Sequence, residues 1–235
     1  MQKIIKHLKE NWIRHGFETL VVTIGILGAF TLNNWNEDRK DRLMEKEFLR
    51  DINIEFKANR NQFLARHQNH YDIFIMSQAM NSMFPITVEN WDSIHSIMTP
   101  LFGAPITFDP TQSSIESLKN SSSFDLITDK QLRSYLISWN DQIADYKEEE
   151  EQAVKLITDH WWPFLINRSN AEKLYFSDSY DLPKSSWEEF ENIVFMRKFT
   201  LSFLADSTFS MRFNEVRRLK ESMDSIIILT EPFVE

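Results

Sequence analysis

Few residues of this chain have the types and spacing to do chemistry. His67 and His70 stand three apart in a run without Pro or Gly. On a helix that spacing puts both rings on one side, where a carboxylate from a second helix could complete a metal site of the di-iron bundle kind. No Glu-x-x-His pair accompanies them, and Gln68 and Asn69 between them read as an exposed face. The run Glu148 to Glu151 has the charge for a cation, but four successive residues point all round a helix and cannot converge. It reads as a solvated turn, with Glu150 breaking an apolar seam. His95 and His160 are isolated and read as structural. There is no phosphate loop, nucleophile elbow or zinc spacing. The expectation is no catalytic residue, no metal and no cofactor.

One further group has chemistry because of where it sits. Glu18 opens the stretch from Phe17 to Trp35, FETLVVTIGILGAFTLNNW, which reads as a membrane-crossing helix. Its uncharged part, Thr19 to Leu32, reaches only about 21 Å against a hydrocarbon layer of roughly 30 Å. The flanks make up the difference. Trp12 and Trp35 are separated by about 34 Å of helix, which puts one indole in each headgroup layer, with Arg14 beside the first. Lys3, Lys6, Lys9 and Arg14 precede the span against Glu10 alone, whereas a mixed run from Glu37 to Arg42 follows it. The basic end belongs in the cytoplasm. This divides the chain into a cytoplasmic segment 1–16, a transmembrane helix 17–35 and a periplasmic domain 36–235 at a bacterial inner membrane.

Three other readings of the same stretch are a cleaved signal peptide, a helix buried in a soluble core and a helix lying on the membrane surface. Leu27 and Phe30 crowd Ala29, the one plausible cleavage point, and Leu20 to Leu32 has no polar face. Within the span, Glu18, Val22, Gly25, Ala29 and Asn33 recur at four, three, four and four, so they form one stripe. Gly25 and Ala29 are a small-xxx-small pair that admits a second helix backbone, which predicts self-association. The competing reading has Glu18 snorkelling to one interface and Asn33 capping the span at the other.

Composition describes what the anchor carries. Of the net charge of −9, the first sixteen residues hold +3, from four basic residues and one acidic, leaving −12 to the rest. An acidic domain argues against nucleic acid or anionic lipid as its main partner. Absence of cysteine rules out a disulfide framework and thiolate chemistry. The four glycines include only Gly103 beyond the anchor, so long helices and not sheet are expected.

The predicted architecture is all-α, with the transmembrane helix continuing into a long antiparallel bundle of three long helices. Leu49, Ile52, Phe56, Asn59 and Phe63 repeat at three and four, a bundle seam with Asn59 as a polar break. Met76, Met80 and Met83 lead to a stop at Pro85. Pro85, Pro100, Pro105 and Pro110 divide the segment 85–128, which is expected to hold two short helices, near Glu89–Met98 and Thr111–Asn120, folded across the end of the bundle as a partner surface. A capping box from Thr128 to Gln131 starts a helix whose seam is Leu132, Leu136, Trp139, Ile143, Tyr146, Glu150, Ala153 and Ile157, and which Pro163 bends or ends. After a polar loop over 168–184, Ser185 with Glu188 makes a second capping box. One last helix then runs towards Thr230, with Phe195, Phe199 and Phe203 as an aromatic core stripe and Phe209, Phe213, Val216, Leu219, Met223 and Ile226 at bundle spacing.

The run GILGAFTLNNWNEDRK after FETLVVT resembles the N-terminal signature of a family of uncharacterised single-pass membrane proteins from Bacteroidota, in which a GE, LVVIGILIA, INNWNE pattern is usual. PTQSSIESLKNSSSFDLITDKQLRSYL is similar to that family's second signature and places it on Ser114 to Leu136, in a structural role. Phe17 stands where the family has Gly. The resemblance implies the anchor and the helical domain and brings no activity with it.

Two classes of function remain open. The first is an envelope scaffold or interaction protein, self-associating and possessing other envelope membrane proteins as possible partners. The second is an accessory, pore-like or stator-like subunit of an ion-conducting or ion-driven complex that uses Glu18.

Overall fold

The computed structural model describes residues 2–103, 107–121, 123–167, 186–205 and 215–234. Among them the regular structure is helical, with no strand. The first helix, α1 (Gln2–Ser82), is 81 residues long, about 120 Å at the helical rise. Its two halves live in different surroundings. No side chain described between Trp12 and Met44 is buried, and Glu45 is the first that is. Beyond it the expected seam appears: Leu49, Ile52, Phe56, Asn59 and Phe63 are all buried.

The seam then continues at the same three-four spacing through Arg66, His70, Ile73, Ser77 and Met80, of which all but Arg66 are fully buried. His70 is therefore a core residue and not part of an exposed face. Beyond Ser82 the chain turns through a cis Phe84–Pro85 peptide. Asn90 holds that turn, donating from Nδ2 to the carbonyls of Met83 (2.6 Å) and Pro85 (3.1 Å) while its Oδ1 accepts the Thr87 N–H.

The segment 85–128 carries α2 (Trp91–Leu101), α3 (Ser113–Asn120) and a 3-10 turn (Ser123–Leu126). Both short helices lie where the sequence puts them, but their place in the fold differs from expectation. Instead of crossing the bundle end, the later part of the segment descends the flank of α1: Thr111 bonds Asn59, Ser113 and Ser114 bond Glu55, and Thr128 bonds Glu45. The reason lies in the next helix. In α4 (Lys130–Leu156) Trp139 meets Phe56 at 4.7 Å between ring centroids and Tyr146 meets Phe63 at 5.5 Å. Residue numbers rise together on both helices, so α4 runs parallel to α1. The chain must return to the near end before α4 can start, and a long crossover is what parallel neighbours in a bundle require.

The N-cap of α4 is Asp129, whose carboxylate accepts the N–H groups of Gln131 (2.8 Å) and Leu132 (3.0 Å). Thr128 does not take the capping role predicted for it, because Glu45 occupies its hydroxyl and its N–H. The eight seam residues predicted for α4 are all buried, Glu150 included. Pro163 does not end the helix. A π turn (Ile157–Trp161), in which Trp162 N–H bonds the carbonyl of Ile157 five residues back, widens the backbone ahead of the proline, and α5 (Trp162–Asn167) follows.

The final long helix is two among the described residues, α6 (Trp187–Leu204) and α7 (Glu215–Thr230). Both run antiparallel to α1: Phe190 lies against Phe84, Leu204 against His67, Asp224 against Arg60 and Thr230 against Asn53. The seam of α6 also differs from expectation. Phe190, Val194, Arg197, Leu201 and Leu204 are buried, while Phe195 and Phe199 are exposed and Phe203 is half-buried. The aromatic stripe lost the core position to a stripe containing an arginine, because the Arg197 guanidinium reaches main-chain carbonyls there (see below). Val216, Leu219, Met223 and Ile226 of α7 are buried as predicted. Ser185, the loop 168–184, Phe209 and Phe213 lie outside the described residues. At the end farthest from the anchor, Phe102 stacks on Trp161 at 3.7 Å, and Phe164 and Phe190 complete an aromatic cluster.

Candidate functional site

Two places in this fold have features that helix packing alone does not demand. The first is the outer half of α1. An 18-residue window there has mean hydropathy 1.4, and none of it is covered by the rest of the chain. This excludes the buried-core reading, since Leu20, Val21, Ile24, Leu27, Phe30 and Leu32 are each more than half exposed. The helix is long and apolar enough to cross a membrane.

Several of its polar side chains bond within the helix itself, as a helix crossing lipid would need. Thr23 and Thr31 hydroxyls donate to the carbonyls of Thr19 and Leu27, each at 2.8 Å. Arg14 Nε bonds Glu18 at 3.0 Å, and Asn33 Nδ2 bonds Glu37 at 2.9 Å. Glu18, Val22, Gly25, Ala29 and Asn33 all lie on the helix exterior, within an arc of about 80° at 100° per residue. A Cβ built on Gly25 meets nothing within 4 Å. Trp12 and Trp35 are 68 % and 62 % exposed at the two ends of the apolar stretch.

The second place is the set of polar side chains that fasten the return segment. Four buried side chains hold it, three from α1 and one from α4, and two less buried ones of α4 add to them: Lys147 pairs with Asp109 at 2.9 Å and Arg133 Nε donates to the Ile127 carbonyl at 3.1 Å. Glu45 accepts the Thr128 N–H (2.6 Å) and hydroxyl (2.7 Å) and is paired with Arg42 at 2.7 Å. Burial pushes its carboxyl up, but the two Thr128 bonds and Arg42 outweigh it and hold the group below its ordinary value. Glu55 accepts the Ser113 hydroxyl and the Ser114 N–H at the start of α3, where the helix dipole favours a carboxylate. Asn59 takes both the N–H and the carbonyl of Thr111. Glu150 of α4 accepts the Phe108 N–H at 3.0 Å from each oxygen.

Glu150 has the most unusual surroundings. It is 3 % exposed, with His70 Nε2 at 3.9 Å and the Tyr146 hydroxyl against it. Burial, helped by the charge of Asp109, raises its carboxyl to about 7, against the opposing pull of the Phe108 N–H, Tyr146 and Lys147. Burial, with the negative charge of Glu150, raises the Tyr146 hydroxyl as well. Arg197, 2 % exposed, donates to the carbonyls of Ala153 (3.0 Å) and Leu101 (3.4 Å), and burial draws its guanidinium down to about 10. It stays charged at neutral pH.

The structure separates the two histidines. His67 Nδ1 lies 3.0 Å from the Leu204 carbonyl, while His70 faces Tyr146 and Glu150. Among the described residues no three His, Asp or Glu side chains converge as a metal site would need. The sequence held a signal for the His70–Glu150 encounter. Extending the seam of α1 beyond Phe63 reaches His70, and the seam of α4 already contained Glu150.

No protein-family model, curated protein or solved structure matches the chain.

Proposed function

We propose that this is a membrane-anchored scaffold or interaction protein of a bacterial inner membrane, with its acidic helical domain in the periplasm and its transmembrane helices associated with one another. The observation that carries the reading is the uncovered apolar half of α1, continuous with a helix whose other half is the spine of the bundle. A single unbroken helix transmits position and orientation from the bilayer to the domain. Gly25 and Ala29 supply a face that a second backbone can approach, because lipid-embedded helices associate through close packing of small residues.

The Arg14–Glu18 ion pair favours assembly over ion conduction. A carboxylate paired at the first turn of the span, beside Trp12, is at the hydrated edge of the bilayer and not along a pathway through it. Other envelope membrane proteins and further copies of this chain are the partners the reading implies; nucleic acid is not among them, given the acidic domain.

Two measurements test it. The chain has no cysteine, so an Asn140→Cys variant carries a single label site on the exposed face of α4. A membrane-impermeant maleimide added to spheroplasts reacts with it if the domain is periplasmic; protection until lysis overturns that orientation. Energy transfer between labelled copies in bilayers should fall to the level of random proximity when Gly25→Ile and Ala29→Ile are combined. Unchanged transfer removes the proposed interface.

A further inference from the structure

The face that α1 turns away from the bundle does not end at the membrane surface. From Ala29 the residues Asn33, Asn36, Lys40, Leu43, Glu47, Arg50 and Ile54 follow at four, three, four, three, four, three and four, and all eight are exposed. That is the heptad spacing of a helix paired with a parallel neighbour. At 100° per residue its part over 40–54 lies roughly half a turn from Glu45, Leu49, Ile52 and Phe56, which face the bundle. A second α1 laid along it would therefore touch neither bundle. Leu43 and Ile54 give the face two apolar side chains outside the span, each more than half exposed. Its two edges carry opposite charge, with Arg39 and Lys46 on one and Glu37 and Asp51 on the other. Among the described residues the ion pairs of this stretch are Arg42 with Glu45 and Lys57 with Glu231, so Lys46, Glu47, Arg50 and Asp51 have none. In a parallel pair the edges meet crosswise, and Lys46 of each copy comes against Asp51 of the other.

We propose that a second copy of this chain covers this face: the two α1 helices stay paired beyond the bilayer, over residues 29–54, with Lys46 of each copy bonded to Asp51 of the other and the two bundles on the outside. The inference rests on the association of the spans proposed above and extends it into the domain outside the bilayer. Lys40, Glu47 and Arg50 put charge within the paired face, so the contact is weak by itself. The associated spans supply the effective concentration that lets it form. Glu47 and Arg50 stand in neighbouring layers of the heptad, where each reaches the opposite charge of the other copy.

Because the chain has no cysteine, single-cysteine variants of the full chain in bilayers, treated with a mild oxidant, test the pairing. Leu43→Cys should form disulfide-linked pairs far faster than Asn140→Cys, whose exposed site on α4 lies off the paired face. Adding Lys46→Glu to Leu43→Cys should slow the linking roughly fivefold, since two exposed ion pairs become repulsive. Adding Asp51→Lys as well should restore it, because the pair is then reversed and whole. Linking at Leu43→Cys that is no faster than at Asn140→Cys, or that ignores the charge reversals, overturns the proposal. Energy transfer between labelled copies reads the spans separately. If transfer persists while Leu43→Cys fails to link, the helices pair in lipid and part outside it, and this inference alone falls; if both fail, the association of the spans falls with it.

Discussion

Asn59 and Thr111 hold one another by two hydrogen bonds: Asn59 Nδ2 donates to the Thr111 carbonyl at 2.7 Å, and the Thr111 N–H donates to Asn59 Oδ1 at 2.9 Å. One buried amide side chain thus satisfies both main-chain groups of a residue that belongs to no helix or strand. This also explains why a polar residue stands in the seam of α1 between Phe56 and Phe63.

Asn59→Ala should therefore cost more than its size suggests. Thr111 is itself exposed and its freed groups can turn to water, so the cost is that of two lost hydrogen bonds, about 0.5–1.5 kcal/mol each. The expected loss is about 2 kcal/mol, read as a lower denaturation midpoint in urea, with membrane association unchanged.

How far the sequence could be read depended on which residues sat in the seams. Where the three-four spacing is occupied mainly by apolar residues, as in α4, the eight expected seam residues are all buried, and Leu156 joins them unforeseen. Asn59 and Glu150 were legible as polar breaks between apolar neighbours, but His70 hid the continuation of the α1 seam, and Arg197 hid that of α6 behind the greasier Phe195, Phe199 and Phe203. Spacing also carries no direction. That α4 runs parallel to α1, and that 85–128 is a return crossover, followed only from pairs such as Phe56 with Trp139 and Glu45 with Thr128. The stripe of Glu18, Val22, Gly25, Ala29 and Asn33 follows from helix spacing alone, since no other described segment covers that part of α1.

Two carboxylates give the domain opposite responses to pH. Glu45 is held below its ordinary value of 4.5, so its contribution is present above that value and is lost as pH falls through the lower folded one. Glu150 is raised to about 7, so its contribution is present below 4.5 and is lost as pH rises through about 7. Glu45→Gln should weaken the domain by about 1–2 kcal/mol at pH 7, and the difference from the unaltered chain should close in acid. Glu150→Gln should remove the decline between pH 4.5 and 7. Urea unfolding at pH 4, 5.5, 7 and 8.5 reads both.

Trp139 fixes the register of the two parallel helices through Phe56. Trp139→Ala should cost about 3–5 kcal/mol, the range for emptying a large aromatic site. Trp139→Phe should cost less than about 1.5 kcal/mol, because it keeps a ring at the Phe56 contact and removes an indole N–H that is buried with no hydrogen-bond partner. Equal losses for the two would mean that the N–H and not the ring carries the contact.

Arg14 and Glu18 lie 3.0 Å apart on one face of α1, both more than half exposed. If Glu18 serves to seat the helix at the interface, Glu18→Gln removes a charge that the bilayer edge already hydrates. Exposed pairs of this kind contribute about 0–1 kcal/mol. Energy transfer between labelled copies should then stay at the level of the unaltered chain, in contrast to the loss expected for Gly25→Ile with Ala29→Ile. Conductance of bilayers containing the protein should likewise be the same for both forms. If instead Glu18→Gln abolished a conductance while transfer between copies persisted, Glu18 would be lining an ion path, and the scaffold reading would give way to that of an ion-conducting subunit.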